Sequence, residues 1–220
     1  MLMNKILLLI YLFSSYSFYA QNEASSFYFK NPLPFKSDSI KEFSEEFLGS
    51  FLKSDDSLVR LIIDKDSIIT EFVIILTIGP KELKKNKSLK LSDSLLYGVK
   101  ENKGIPYMML DDTVYAVMLQ YDLFFKADKE HILKYNEGKY FLNTRNENGY
   151  YSTSILDLKN DTLCLHEIDH YESMDEINKI NDLTQTSIEG LKIYLANPTN
   201  EELKKLIYNK GFNERTIYYK

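Results

Sequence analysis

Two histidines and a glutamate stand at a spacing that could hold a metal ion. The segment His166-Glu167-Ile168-Asp169-His170 matches the pattern H-E-x-x-H. On a helix, residues four apart share a face, so both imidazoles could bind one zinc ion while Glu167 activates a water molecule. If the segment is helical, the sequence therefore predicts a hydrolytic zinc centre.

A further carboxylate lies at the distance expected of a third ligand. Glu189 follows His170 after 18 intervening residues, and Gly190 comes directly behind it. With this spacing, residues 166–190 resemble the gluzincin peptidases. The resemblance implies that His166, His170 and Glu189 bind zinc, that Glu167 is the general base, and that the protein is a small zinc-dependent peptidase.

The residues around the motif favour a strand. Asp169 is charged, whereas the peptidase family has an uncharged residue there, and Asn160-Asp161 is typical of a turn just upstream. In a strand, His166 and His170 would stand about 13 Å apart, too far to share one zinc ion. We therefore interpret the motif as coincidental and expect neither a metal nor another cofactor.

The N-terminus has the layout of an export signal. Lys5 precedes an apolar run from Ile6 to Phe13, and Ala20 stands at the expected cleavage point. This pattern predicts a signal peptide over residues 1–20. Residues 21–220 would then be an exported protein, periplasmic or secreted, with no membrane span after the signal is removed.

The composition favours a globular protein with a large core. Of the 220 residues, 44% are apolar and 14% are aromatic, and the formal net charge is −5. This mild acidity argues against nucleic acid as a partner, because phosphate binding needs a clustered basic surface. The single cysteine, Cys164, cannot form a disulfide within the chain, and we expect it to be buried.

Strand-like segments dominate the order of elements. Apolar, β-branched runs alternate with Asp-rich turns over residues 49–77 and 138–168, which predicts two three-stranded meanders and suggests a duplicated unit. Helical spacing predicts a short helix over Ser39 to Leu48, and helices in the tail over residues 172–220. The predicted fold is a single α+β domain, mostly antiparallel β, arranged as a sandwich or an open barrel.

A tripeptide of Asp, a hydroxyl residue and an aliphatic residue occurs six times. Turn chemistry accounts for its placement, because Asp is favoured in turns and the aliphatic residue can begin a strand. The tripeptide also resembles the acceptor site for O-linked glycan in exported proteins of one group of Gram-negative bacteria. That resemblance implies possible acceptors at Ser39, Ser57, Ser67, Ser94, Thr113 and Thr162.

Two further segments carry a resemblance that spans most of the chain. They are the lead-in Asn31-Pro32-Leu33-Pro34-Phe35 and the tail segment Asn197-Pro198-Thr199. With the glycine-started meanders, they resemble uncharacterised exported, β-rich proteins of Gram-negative bacteria. The resemblance implies placement and fold but no mechanism.

These observations predict a non-enzymatic protein of the cell envelope that binds an unknown protein or glycan partner. The contact would be made through its sheet face or through a tyrosine cluster, for which the candidates are Tyr135, Tyr140, Tyr150 and Tyr151. One alternative is the zinc-dependent peptidase. Another is an envelope inhibitor or immunity-type protein, whose mild acidity would suit a basic partner.

Overall fold

The computed structural model describes residues 25–100, 103–188 and 190–220. The predicted signal peptide and Glu189 therefore lie outside the described residues. None of the helices within the described ranges is long and apolar enough to cross a membrane. The predicted class, α+β with mostly antiparallel strands, is confirmed.

Strands make up most of the described chain. Their bounds are β1 (Ser25–Phe29), β2 (Ser39–Ile40), β3 (Gly49–Lys53), β4 (Val59–Ile63), β5 (Ser67–Ile78), β6 (Lys90–Ser92), β7 (Leu95–Lys100), β8 (Lys103–Leu110), β9 (Thr113–Lys126), β10 (His131–Asn136), β11 (Lys139–Arg145), β12 (Tyr151–Lys159), β13 (Thr162–Glu167), β14 (Leu183–Ile188), β15 (Leu191–Ala196) and β16 (Glu214–Tyr219). The helices are α1 (Pro80–Lys85), α2 (His170–Ile177), α3 (Asn200–Tyr208) and a 3-10 helix (Glu45–Phe47).

The chain forms two compact units, and both are built from separated stretches of sequence. Unit 1 takes the chain up to Ser37, Asn143–Ser154 and Glu167–Glu214. Its strands hydrogen-bond in the order β14, β15, β1 and the start of β12. The pairing of β1 with β15 is parallel, whereas β14 with β15 and β1 with β12 are antiparallel.

Unit 2 comprises Asp38–Leu142, Ile155–His166 and Arg215–Lys220. Its strands follow the order β12, β13, β16, β3, β4, β5, β9, β8, β7 and β6, so β16 lies between β13 and β3. The predicted meander over residues 49–77 is confirmed as β3, β4 and β5. Strands β11, β12 and β13 also pair in sequence order, and their descent from a duplication stays a prediction.

Two apolar cores stabilise unit 2. The larger core draws buried side chains from nine strands and from the 3-10 helix, with Phe51, Leu61, Ile68, Leu156 and Leu165 among its members. The smaller core is formed by Ile78, Leu96, Ile105, Val114 and Ala116, which are side chains of β5, β7, β8 and β9. Each buried aliphatic or aromatic side chain of this kind contributes about 1.5–3 kcal/mol through removal from water.

Short polar residues close three of the hairpins. Asp93-Ser94, Asp111-Asp112 and Asn160-Asp161 all have positive φ, the conformation that a two-residue type I′ turn requires at both central positions. Asp and Asn reach this region more easily than other residues with side chains, because their side chains can hydrogen-bond locally. The turns predicted at these tripeptides are confirmed.

The helix predicted over Ser39 to Leu48 is wrong. Ile40 instead pairs with Leu133 as strand β2 with β10, and only Glu45–Phe47 forms a 3-10 turn. Phe43 and Phe47 both pack on Tyr140, with ring centroids 4.9 and 4.7 Å away. The helical spacing of the apolar residues thus reflects these tertiary contacts, which override weak local preference.

Candidate interaction surface

The H-E-x-x-H segment spans the end of a strand and the start of a helix. His166 and Glu167 close β13, and His170 is the first residue of α2. Asp169 is the N-cap of that helix, and its carboxylate accepts from the backbone N–H groups of Tyr171 and Glu172. The strand expected to reach His170 therefore ends earlier, and the two histidines do not share one helical face.

Glu167 has surroundings that suit a buried carboxyl rather than an exposed base. Burial raises its pKa and the nearby charge of Glu214 adds to the effect, while a hydrogen bond from Ser154 Oγ at 3.0 Å acts in the opposite direction. Within the described ranges, no group of three or more His, Cys, Asp or Glu side chains could hold a metal ion. Glu189 lies outside those ranges.

Cys164 is buried, as predicted, and it lies beside a cation. Arg215 Nη2 donates to Cys164 Sγ at 2.9 Å, and the register of β12 with β13 places Asp157 directly opposite Cys164. Burial and the charge of Arg215 lower the pKa of His166, two residues along the same strand. Burial alone would raise the pKa of Asp157, but the ammonium of Lys139 holds it below the usual value. The carboxylate of Asp157 is thus paired with Lys139, and Arg215 is occupied by the cysteine sulfur.

The four tyrosines proposed as a contact cluster differ in access. Tyr140 is buried in the larger core of unit 2, where its ring contacts Tyr135 and its hydroxyl accepts from Ser44 N at 2.7 Å. Tyr150 and Tyr151 belong to unit 1 and are half-buried. At least Tyr140 therefore serves the packing of the protein and is not available to a partner.

The six hydroxyls of the recurring tripeptide differ in access. Ser39, Ser57 and Ser94 are exposed, and Thr113 and Thr162 are half-buried. Ser67 is only 9% exposed at the start of β5. Since a glycan needs an accessible hydroxyl, Ser67 is the poorest of the six acceptors in the folded protein.

A broad apolar surface covers one side of the long hairpin strands of unit 2. It comprises Ile75 on β5, Met108 and Leu110 on β8, and Val117, Leu119, Tyr121 and Leu123 on β9. We call these seven side chains the open face. Each is between 42% and 67% exposed, so together they present roughly 700 Å² of surface, more than the few hundred Å² usual for one apolar patch.

The strand register places these side chains on one side of the sheet. Ile75 lies opposite Val117, while Val73 and Glu71 lie opposite Leu119 and Tyr121. Directly opposed residues, and alternate residues along a strand, point to the same face. The open face is therefore one continuous surface, and on the other side of the same strands Ile78, Val114 and Ala116 belong to the smaller core.

A β-bulge sets the limit of the open face. The register shifts between Ile68 and Ile69, so that Ile69 pairs with Leu123 whereas Ile68 pairs with Phe125. The extra residue, Phe124, reverses the alternation of side chains along β9. As a result Leu123 stays on the open face, and Phe125 turns inward to become 2% exposed in the larger core.

One polar group is embedded beside the open face. Glu71 is only 7% exposed, and its Oε1 lies 3.6 Å from Nη1 of Arg60 on the neighbouring strand. The hydroxyl of Tyr121 donates to Glu71, which raises the pKa of that tyrosine. The carboxylate thus has two partners within the chain, and its pair with Arg60 carries no net charge.

The sequences of β5 and β9 indicate this surface, although the strand prediction did not identify it. Strands with one solvent-exposed face alternate apolar and polar residues, whereas β5 and β9 are nearly continuous apolar runs. Such runs indicate strands that are covered on both faces. The smaller core accounts for the buried side chains near Val114 and Ala116, whereas the side chains of the open face are exposed within the described part of the chain.

A pocket lies between the two segments that carry the resemblance described above, the lead-in and the tail segment. The pocket, of about 480 Å³, is lined by Phe35 and Lys36 from the lead-in and by Asn197 to Glu201 from the tail. Asn31 Nδ2 donates to Asn197 Oδ1 at 3.0 Å nearby. The adjoining N-terminus of α3 is already capped by Thr199 and Glu202, so its donors are satisfied.

The chain was compared with known proteins at three levels. No protein-family model, no curated protein and no solved structure matches it. The functional assignment therefore depends on the chain's own residues and geometry.

Proposed function

We propose that this protein is an exported, non-enzymatic binding protein of the cell envelope that docks a protein partner through the open face. The observation that supports this proposal is the exposure of seven large, mostly apolar side chains on one side of β5, β8 and β9. A contiguous apolar surface of this size is costly in water, and patches of this kind characterise interaction sites. The predicted signal over residues 1–20 supports an extracytoplasmic site of action.

The chemistry of the open face favours a protein over a glycan. A sugar presents hydroxyls that exchange hydrogen bonds with water for hydrogen bonds with its receptor. The polar atoms at the open face belong to Arg60, Glu71 and Tyr121. They are already engaged with one another, through the ion pair of Arg60 with Glu71 and the hydrogen bond from Tyr121 to Glu71. The side chains of a protein interface, by contrast, match the mixture of Leu, Met, Val and Tyr found here.

The same surface gives no support to an inhibitor that recognises a basic partner. The seven side chains of the open face carry no charge, and the neighbouring carboxylate of Glu71 is buried and paired with Arg60. Nor does any described feature favour the zinc-dependent peptidase, because His166 and His170 lie in different elements. The open face is the feature that an account of function must explain.

Site-specific photo-crosslinking in the producing cell tests the proposal. A photoreactive phenylalanine analogue replaces Leu119 on the open face, or Leu191 on β15 as the control, which is exposed to a similar degree. We expect a discrete protein adduct, identified by mass spectrometry, at position 119 and none at position 191. Absence of any protein adduct at position 119, or adducts with lipid or glycan only, would overturn the proposal.

A further inference from the structure

The open face has the properties of a surface that binds its own copy. We propose that its occupant is a second copy of this chain, docked face to face about a two-fold axis. This inference rests on the proposed function, because it names the partner that covers the same seven side chains. In such an isologous contact, each residue of one copy meets the equivalent surface of the other.

The size of the open face fits a stable dimer. Roughly 700 Å² on each copy would bury about 1,400 Å² in total, within the range of specific, stable interfaces. The surface is also built from regular strands of one antiparallel pairing, β5 with β9, which runs unbroken from Ile69 to Ile78. Two such sheets pack face to face about 10 Å apart with their side chains interdigitated, as in the core of a sandwich.

The charges around the open face also suit self-association. A surface with a net charge repels its own copy, whereas a neutral one does not. Arg60 and Glu71 neutralise each other within one chain, and Glu71 accepts from Tyr121 as well, so the carboxylate already has partners in the monomer. Desolvation of this pair on dimerisation therefore leaves no isolated charge.

The tip of the hairpin between β8 and β9 makes a bilayer a poor occupant. Asp111 and Asp112 form the turn directly after Met108 and Leu110. Two carboxylates at the leading edge would be repelled by anionic lipid headgroups. A second copy approaching the side of the hairpin meets the apolar side chains without meeting this tip.

Analytical ultracentrifugation of the full chain, purified after export, tests the inference. We expect a dimer for the native chain and for the control Leu191→Glu, and a monomer for Leu119→Glu. A glutamate in each copy would be buried in an apolar interface, so the dimer dissociation constant should rise by at least about 100-fold. Val117→Lys serves as a second variant, and circular dichroism shows that each variant is folded.

Each outcome decides between the two proposals. A dimer that Leu119→Glu and Val117→Lys both separate, and that Leu191→Glu leaves intact, supports the second copy as occupant. A native dimer that both open-face variants leave intact overturns it, because the contact then lies elsewhere. A native monomer whose position 119 crosslinks to another protein overturns the second copy but keeps the docking function. A native monomer with no adduct at position 119 overturns both.

Discussion

Asn143 binds both backbone polar groups of Leu33. Its Oδ1 accepts from Leu33 N at 2.7 Å, and its Nδ2 donates to Leu33 O at 2.8 Å. Thr153 Oγ1 donates to the same Oδ1 at 2.8 Å, and the Asn143 side chain is fully buried. One side-chain amide thus supplies the hydrogen-bond partners for the backbone N–H and C=O of Leu33, which do not pair with a strand.

Replacing Asn143 with leucine should destabilise the protein strongly. The change leaves the N–H and C=O of Leu33 without these partners, and unmet buried polar groups cost about 1–3 kcal/mol each. We expect a loss of about 2–4 kcal/mol in the free energy of unfolding, measured by chemical denaturation. Asn178→Leu at an exposed position after α2 is the control; equal losses in both variants would contradict this account.

The Asp169 cap gives a second prediction. Asp169→Ala removes the acceptor for two N–H groups of the first turn of α2 and should cost about 1 kcal/mol of stability. Asp169→Ser keeps an oxygen at the same place and should recover most of the loss. Asp175→Ala, at an exposed position of the same helix, should change little. If Asp169→Ala were as stable as the native chain, the cap would not stabilise the helix.

Asp169 also explains where sequence reasoning succeeded and where it stopped. The charge that departs from the zinc-helix pattern correctly indicated that the segment is not a continuous helix. The spacing of residues did not predict where the strand ends and the helix begins, because a helix cap depends on the backbone geometry at a single residue. The strand around Cys164 was predicted correctly, whereas its expected continuation through His170 was wrong.

His166 should make stability depend on pH. Burial and the charge of Arg215 lower its pKa from the ordinary value of 6.5, so the folded protein favours the neutral ring. Its contribution is fully present above pH 6.5 and is lost as the pH falls through the lower folded pKa, because the unfolded chain takes up the proton first. His166→Gln should therefore lose less stability than the native chain between pH 8 and pH 5. If the free energy of unfolding changed equally with pH in the native chain and in His166→Gln, the prediction would be contradicted.

The protein should retain no zinc. Because His166 ends a strand and His170 begins a helix, we expect less than about 0.1 zinc per chain after dialysis against buffer without chelator. Elemental analysis of the native chain measures this, and His170→Ala is the matched variant. Zinc near one equivalent that is lost in His170→Ala would restore the peptidase hypothesis.

Intact mass of the exported protein tests both the signal and the O-glycan. We expect cleavage after Ala20 and an added glycan mass on at least one of the exposed acceptors, Ser39, Ser57 or Ser94. Replacing the modified serine with alanine should remove that mass. Ser67→Ala should leave it unchanged, because the Ser67 hydroxyl is buried. A mass equal to that of the bare chain from Gln21 would remove the modification hypothesis.

Much of the sheet could be predicted because its signals are local. The alternation of β-branched residues and Asp-containing turns over residues 49–77 indicated β3, β4 and β5 to within a few residues. The open face could not be predicted in the same way. A run such as Ile74-Ile75-Leu76 indicates that both faces of a strand are apolar, but it does not say whether the chain itself supplies both covers.

The position of β16 has a consequence for when unit 2 can fold. This strand lies between β13 and β3, and its Tyr218 pairs with Lys53, which stands far earlier in the sequence. Unit 2 cannot complete its sheet until the final strand has left the ribosome, and such distant pairings form slowly. If the chain is exported as proposed, this late pairing would leave the sheet of unit 2 incomplete while the chain crosses the membrane.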